Sequence, residues 1–395
     1  MIDQGKRDRY SYFVNAMLFL FALFVNIHNT VADIALFGLF MAGIYILKKN
    51  NINPFKDSRL RILLFITAGY YFINFAVFFI NGTNFAKYLQ TDLYFLMAVF
   101  VGGAILYAKV NLNLFFAGIR LALLSLGVCQ VFTIDLTNIY VSIFAPITVL
   151  MMFLSIINYD NDNLINKILG LMAFICGLLI IVDSTVRLSW VVFLVLSIFI
   201  LFIAFKKTAV TKASFAISLV LLGVVISFIS TNNMINSRVT QAYNEISSWS
   251  TGKNLESSIG IRLEMYQSGF EAFKEKPFFG HGYLNGTKEA SKYADQRVAS
   301  KIYQYVQLHS EYISTMVEKG LFGLLAMGIL LISPILIIVK NYSKNDIYIR
   351  IGVITFISFT LFGLFNSSFG DTTVKAFYML LICLFLPNLY KERFH

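Results

Sequence analysis

Cysteine is almost absent from this chain. The three present, Cys129, Cys176 and Cys383, all lie inside apolar runs without C-x-x-C spacing, which argues against a disulfide framework and a thiolate zinc site. Charge is scarce too: charged residues make up 13% of the sequence and hydrophobic ones 58%, with mean hydropathy +0.72. A soluble protein of 395 residues with that balance would expose apolar patches far larger than soluble monomers carry. A bilayer removes the difficulty by acting as the solvent, and the 40 Phe and 21 Tyr suit lipid-facing and interfacial positions. No Gly-x-x-x-x-Gly-Lys-Ser/Thr loop is present. Internal repeats and low-complexity tracts are missing as well. No small-x-small cleavage site follows the first apolar run, which therefore reads as a retained helix and not a cleaved signal.

What is there in abundance is apolar stretches of about 17–25 residues, the length that crosses ~30 Å of hydrocarbon. They fall at roughly Tyr10–Ile27, Val31–Leu47, Arg61–Ile80, Leu93–Ala108, Leu112–Val131 and Ile139–Ile157. Six more follow at roughly Leu164–Val182, Leu188–Phe205, Ser214–Ser230, Leu321–Val339, Ile349–Phe365 and Val374–Leu389. Twelve spans place both termini on one side. Lysine and arginine in the short loops choose that side. One side carries Lys6, Arg7, Arg9, Lys48, Lys49, Lys56, Arg59, Arg61, Lys109 and Lys167. It also carries Lys206, Lys207, Lys212, Lys340, Lys344, Arg350, Lys391 and Arg393, whereas the other side offers Lys87, Arg187 and Lys375. The bias predicts cytoplasmic termini. It also accounts for most of the net charge of +11, so no nucleic-acid partner is inferred.

The whole chain, residues 1–395, reads as a single integral membrane domain with one long polar insertion. Thr231 to about Lys319 lies between the ninth and tenth spans, on the outer side. Long loops of this kind tend to be functional. Apolar residues at helical spacing run from Ile261 to Lys274, with Ser257 and Ser258 as candidate N-caps and Pro277, Gly280 and Gly282 as stops. A second helical stretch is predicted from about Asp295 to Lys319.

Polar residues on the outer side are the candidates for chemistry. Arg187, in Asp183-Ser-Thr-Val-Arg-Leu-Ser-Trp, adds positive charge where topology favours none; an ion pair with Asp183 at i,i+4 is the plainer reading. Arg262 begins the loop helix, where unpaired backbone N–H groups and a guanidinium together suit a phosphate; a solvated arginine is the alternative. His309 stands just before an outer membrane entry, and an imidazole with an ordinary pKa near ~6.5 can serve as a general base at neutral pH. His281, in Gly-His-Gly, reads as a turn residue. Arg120 lies inside the fifth span, either functional or snorkelling to the inner interface. Asp371, in the last outer loop, is a candidate to orient a base or an arginine, with turn polarity as the plainer explanation.

Together these residues resemble a family. His309-Ser310, nine residues and Gly320-Leu-Phe-Gly323 resemble the His-(Asn/Ser/Gln)-x9-Gly-x-x-Gly signature of bacterial O-antigen ligases. Arg262-x-x-x-Tyr266 followed by Pro277-Phe-Phe-Gly-His-Gly282 looks like that family's arginine helix and its Pro-x-x-Gly-x-Gly turn, and Arg187 has a counterpart after the seventh span. The resemblance covers the whole topology. It implies an all-α polytopic membrane protein of about twelve transmembrane helices with one large periplasmic helical loop, GT-C-like, in the bacterial inner membrane.

The activity it implies is glycosyl transfer on the periplasmic side. Undecaprenyl-pyrophosphate-linked O-antigen is the donor and a sugar hydroxyl of lipid A–core the acceptor, with His309 as base and Arg187 and Arg262 on the pyrophosphate. No cofactor and no metal are expected, and the displacement is expected to invert the anomeric centre. An O-antigen polymerase using the same donor is the nearest alternative. A membrane transporter is a more distant one, with Arg120 as its main support.

Overall fold

A computed structural model describes residues 4–82, 85–131, 141–184, 186–206, 233–341 and 346–389. Among them every regular element is helical and there is no strand. Seven helical segments are long and apolar enough to cross a bilayer: Asn29–Lys49, Ser58–Asn81, Leu112–Gln130, Leu164–Val182, Glu311–Lys340, Ile347–Phe365 and Thr372–Leu389. Shorter apolar segments at Tyr10–Phe24, Asp92–Tyr107, Ile147–Ile156 and Leu188–Phe199 fall on four further expected spans. The ninth expected span lies outside the described residues. The chain is a polytopic all-α membrane protein.

The first eight helices are α1 Gln4–Phe24, α2 Asn29–Lys49, α3 Ser58–Asn81, α4 Phe85–Tyr107, α5 Leu112–Val131, α6 Val141–Ile156, α7 Leu164–Ser184 and α8 Arg187–Lys206. Local chemistry sets several ends. Asp57 caps α3 by accepting from the backbone N–H of Arg59 and Leu60, and Gly82 closes it in the left-handed region. Near the far end of the chain come α13 Glu311–Lys340, α14 Ile347–Phe365 and α15 Thr372–Leu389. Asp346 caps α14 through the Tyr348 N–H. The last helix, α15, is almost wholly enclosed and packs against α3, α4 and α14.

Two ion pairs are buried in the described part of this bundle. Lys375 of α15 meets Asp92 of α4, and both are buried. Arg120 of α5 meets Asp162, just ahead of α7, and its Nε donates to the Ser155 carbonyl at 2.9 Å. Removing one partner of such a pair strands the other charge in an apolar interior, at about 3–5 kcal/mol. Arg120→Leu is therefore expected to melt early in detergent, whereas Arg120→Leu combined with Asp162→Leu recovers most of the loss. Both variants are expected to keep wild-type activity per folded molecule, which thermal melting and a turnover assay on the same preparation check. Loss of activity in the folded double variant would return Arg120 to a functional role.

Between α8 and α13 the described insertion holds four helices: α9 Asn233–Ser250, α10 Ser258–Glu275, α11 Gly286–Ser291 and α12 Gln296–Gln304. They share a small core of their own, built on Leu255, Ile261, Met265, Ala272, Ala290, Val298, Ile302, Leu308 and Val317. Ser257 caps α10 as expected, accepting from the Gly260 N–H at 3.0 Å. The second expected loop helix is different. It is not continuous from Asp295 to Lys319 but stops at Gln304, and α13 starts afresh at Glu311 with Ser310 as its cap. Between them the backbone leaves the helical region, with Tyr305 extended and His309 left-handed at φ 51°.

The insertion is fastened to the bundle by two glycine motifs that interlock. α13 is broken at Gly320, whose φ of 65° and ψ of −157° belong to a region open essentially to glycine alone. The apolar part of α13 restarts at Leu321, where the sequence placed the start of the tenth span. The Pro277–Gly282 turn lies against this break. Leu321 N–H donates to the Pro277 carbonyl at 2.7 Å and Phe322 N–H to that of Phe278 at 3.2 Å. In return, His281 N–H donates to Val317 and Gly282 N–H to Glu318, at 2.8 and 2.9 Å. A Cβ on Gly320 would stand 2.4 Å from the Phe278 carbonyl oxygen, and one on Gly280 2.4 Å from the Glu318 carbonyl carbon. Backbone strain alone makes Gly320→Ala cost about 1–3 kcal/mol, and the clash adds to it. This variant is expected to melt well below wild type; an unchanged melting midpoint would contradict the clasp.

Candidate active site

The fold brings two of the sequence candidates to one place. Arg262 lies in the second turn of α10, half-buried, and its guanidinium has no hydrogen-bond or ion-pair partner among the described residues. His309 lies in the break ahead of α13. The two are close enough for the arginine charge to act on the imidazole. Tyr266 stands one helical turn after Arg262, and its hydroxyl donates to the His309 carbonyl at 3.0 Å and reaches that of Leu364 at 3.4 Å.

The backbone around His309 is held from several sides. Ser310 caps α13 through the Ile313 N–H and donates its hydroxyl to the Gly363 carbonyl at 3.3 Å. Glu311 N–H donates to Asn366, while the Glu311 carboxylate accepts from the Phe369 N–H at 2.9 Å. Ser314 and Ser367 share a hydrogen bond at 3.1 Å. The start of α13 is thus stitched to the end of α14 and the turn beyond it. The His309 ring meets the edge of Tyr305, centroids 5.2 Å apart, and its nitrogens take no hydrogen bond among the described residues. Burial, and then the positive charge of Arg262, lower its pKa to about 4. At neutral pH the imidazole is uncharged, but its pKa is well below the ordinary ~6.5 expected from the sequence, which makes it a weaker base than that expectation assumed.

One expectation about Arg262 is corrected. The N-terminal N–H groups of α10 were expected to be open to an anion. Instead Ile259 N–H donates to the Glu245 carboxylate at 2.9 Å and Gly260 N–H to the Ser257 hydroxyl. A carboxylate from α9 already fills the end of the helix, so attraction for an anion there rests on the guanidinium itself.

The other candidates are placed as follows. Asp371 is the N-cap of α15, accepting from Thr373 and Val374 N–H at 2.8 and 3.1 Å. Asp183 lies in the last turn of α7 and Arg187 opens α8, but both side chains lie outside the described residues. Ligand atoms of Glu275, His281 and Glu289 lie within 4.8 Å of one another, the one grouping of metal-ligand type among the described residues. Each has a protein partner: His281 Nε2 bonds the Ala272 carbonyl at 2.8 Å, Glu289 takes the Lys292 ammonium, and Glu275 the Tyr293 hydroxyl. The cluster braces the Gly-His-Gly turn, in keeping with the turn role expected of His281. Tyr266 appeared in the sequence only as part of a motif; its spacing of four from Arg262 was the available signal that both share a helix face.

Comparison with known proteins agrees with the motifs. A family model described as O-antigen ligase matches residues 171–328, a stretch that includes Arg187, Arg262, Tyr266, His309 and Gly320. The O-antigen ligase of Escherichia coli K12 is 21% identical over 359 residues, covering 84% of this chain and 81% of its own. An uncharacterized protein of Haemophilus influenzae is 25% identical over 223 residues, so that the match spans 54% of this chain and about half (55%) of that relative. The similarity to O-antigen ligases thus extends beyond the short motifs to most of the chain.

Proposed function

We propose that the protein is an O-antigen ligase of the bacterial inner membrane, with cytoplasmic termini and residues 231–319 forming a periplasmic loop. The observation that carries the reading is the nearness of His309, uncharged at neutral pH, to Arg262 where the insertion meets the membrane helices, neither side chain having a hydrogen-bond or ion-pair partner among the described residues. The similarity to O-antigen ligases supports it.

In this reading the donor is an undecaprenyl-pyrophosphate-linked polysaccharide and the acceptor a sugar hydroxyl of lipid A–core. His309 takes the hydroxyl proton as the acceptor oxygen attacks the anomeric carbon. The bond from that carbon to the pyrophosphate oxygen breaks, and the electron pair leaves with undecaprenyl pyrophosphate. Attack from the face opposite the leaving group inverts the centre. Arg262 and Arg187 are the residues assigned to meet the charge that develops on the leaving group. The energy is stored in the lipid pyrophosphate, so no nucleotide enters the reaction.

Expression in cells that make both substrates but lack their own ligase tests the reading. Restored long-chain lipopolysaccharide on a gel supports it. Lengthened lipid-linked chains without capping would move the assignment to a polymerase, and neither product would remove the enzyme reading.

A further inference from the structure

We propose that Tyr266 is a positioning residue: its hydroxyl, bonded to the His309 carbonyl, locks the backbone that aims the His309 ring. The catalytic consequence rests on the ligase reading; the structural part does not. His309 has φ 51°, a conformation uncommon outside glycine though one histidine adopts more readily than most residues, so contacts around it help to keep it there. The His309 carbonyl is held by the 3.0 Å bond from Tyr266, and the same hydroxyl lies 3.4 Å from the carbonyl of Leu364.

Leu364 belongs to the last turn of α14, where carbonyls lack helical partners. A single phenol therefore joins three elements: α10, the break ahead of α13, and the end of α14. Because Tyr266 and Arg262 sit four residues apart on α10, they project from one face of a rigid helix. The distance between the cation and the base is set by that helix together with the Tyr266 bond to the His309 carbonyl. Burial pushes the Tyr266 phenol above its ordinary pKa even though Arg262 pulls it down, so it stays protonated and able to donate at neutral pH. The Tyr305 ring packs against the imidazole in an edge-on contact, centroids 5.2 Å apart. With its proton committed to a carbonyl, Tyr266 is engaged in holding the site and not in contacting substrate.

The test uses the full-length protein in detergent and compares wild type with Tyr266→Phe. The first readout is the rate at which diethyl pyrocarbonate modifies His309, followed by mass spectrometry; it needs no activity. Faster modification in Tyr266→Phe is expected, and an unchanged rate overturns the proposal. The second is steady-state transfer. Misaimed chemistry is expected to lower kcat by about 10²-fold while KM for donor and acceptor holds. A loss confined to KM, or an unchanged kcat, would also overturn it. If Tyr266→Phe melts early, 4-aminophenylalanine at position 266, whose amine can donate to the same carbonyl, is expected to restore both readouts, and failure of that rescue counts against the proposal. Should the wild type itself transfer nothing, the ligase reading falls and the modification rate alone decides whether Tyr266 holds His309.

Discussion

His309→Ala is expected to lower turnover by about 10²–10⁴-fold, the usual contribution of a general base, with little change in melting temperature. The ring makes no hydrogen bond among the described residues, so its removal breaks no network. The substitution even leaves the Tyr266 bond possible, since that bond goes to the main-chain carbonyl. His309→Gln, which keeps polarity but cannot carry the proton, is expected to be as inactive as His309→Ala. Turnover measured on melted and unmelted samples of the same preparation separates chemistry from folding. A folded His309→Ala enzyme within about tenfold of wild type would remove His309 from the chemistry.

Arg262→Ala is expected to cost about 10²–10³-fold in kcat, the loss typical of removing one group that stabilises developing negative charge. A second signature distinguishes this arginine from a distant surface charge. The guanidinium helps hold the His309 pKa down at about 4, so neutralising it raises that pKa toward its ordinary ~6.5, with burial still acting against the charged form. Protonation of His309 abolishes the base. The acid limb of kcat/KM is therefore expected near pH 4 in the wild type and at higher pH in Arg262→Gln. Arg262→Lys keeps the charge and should keep the limb low. The same reasoning applies to the donor. Its pyrophosphate offsets the Arg262 charge when bound, so the acid limb of kcat, which reports the enzyme–substrate complex, is expected above that of kcat/KM. Superimposable profiles in wild type and Arg262→Gln would contradict the coupling.

Most of the fold was legible because the bilayer imposes it. Apolar stretches of spanning length at eleven of twelve expected places have helical counterparts, and the tenth span begins at Leu321, where α13 restarts. What the sequence concealed was set by partners far along the chain. Asp162 is 42 residues from Arg120, so nothing local revealed the ion pair that occupies this charge. Glu245 fills the start of α10 from another helix, which reversed the expectation of open N–H groups there.

The candidate site was half visible. His309 and Arg262 stood out by type and by place on the chain. The break that shapes the site did not, since residues 305–310 contain neither glycine nor proline and fit a helical pattern as well as any. Ser310 as an N-cap was the local cue; Tyr266, from 43 residues away, was not readable as its partner. The Pro277–Gly282 and Gly320–Gly323 motifs were visible one by one. That Gly320 makes room for the Phe278 backbone, and Gly280 for the backbone of Glu318 and Lys319, emerges only when the two are side by side.

The most direct test of the account is transfer by the purified protein. Wild type and His309→Ala, in detergent, are mixed with lipid-linked O-antigen and rough lipopolysaccharide in the absence of nucleotide. Capped lipopolysaccharide from the wild type, lost in a folded His309→Ala, is the expected result. No capped product from wild type, with substrates that another ligase can join, would contradict the account.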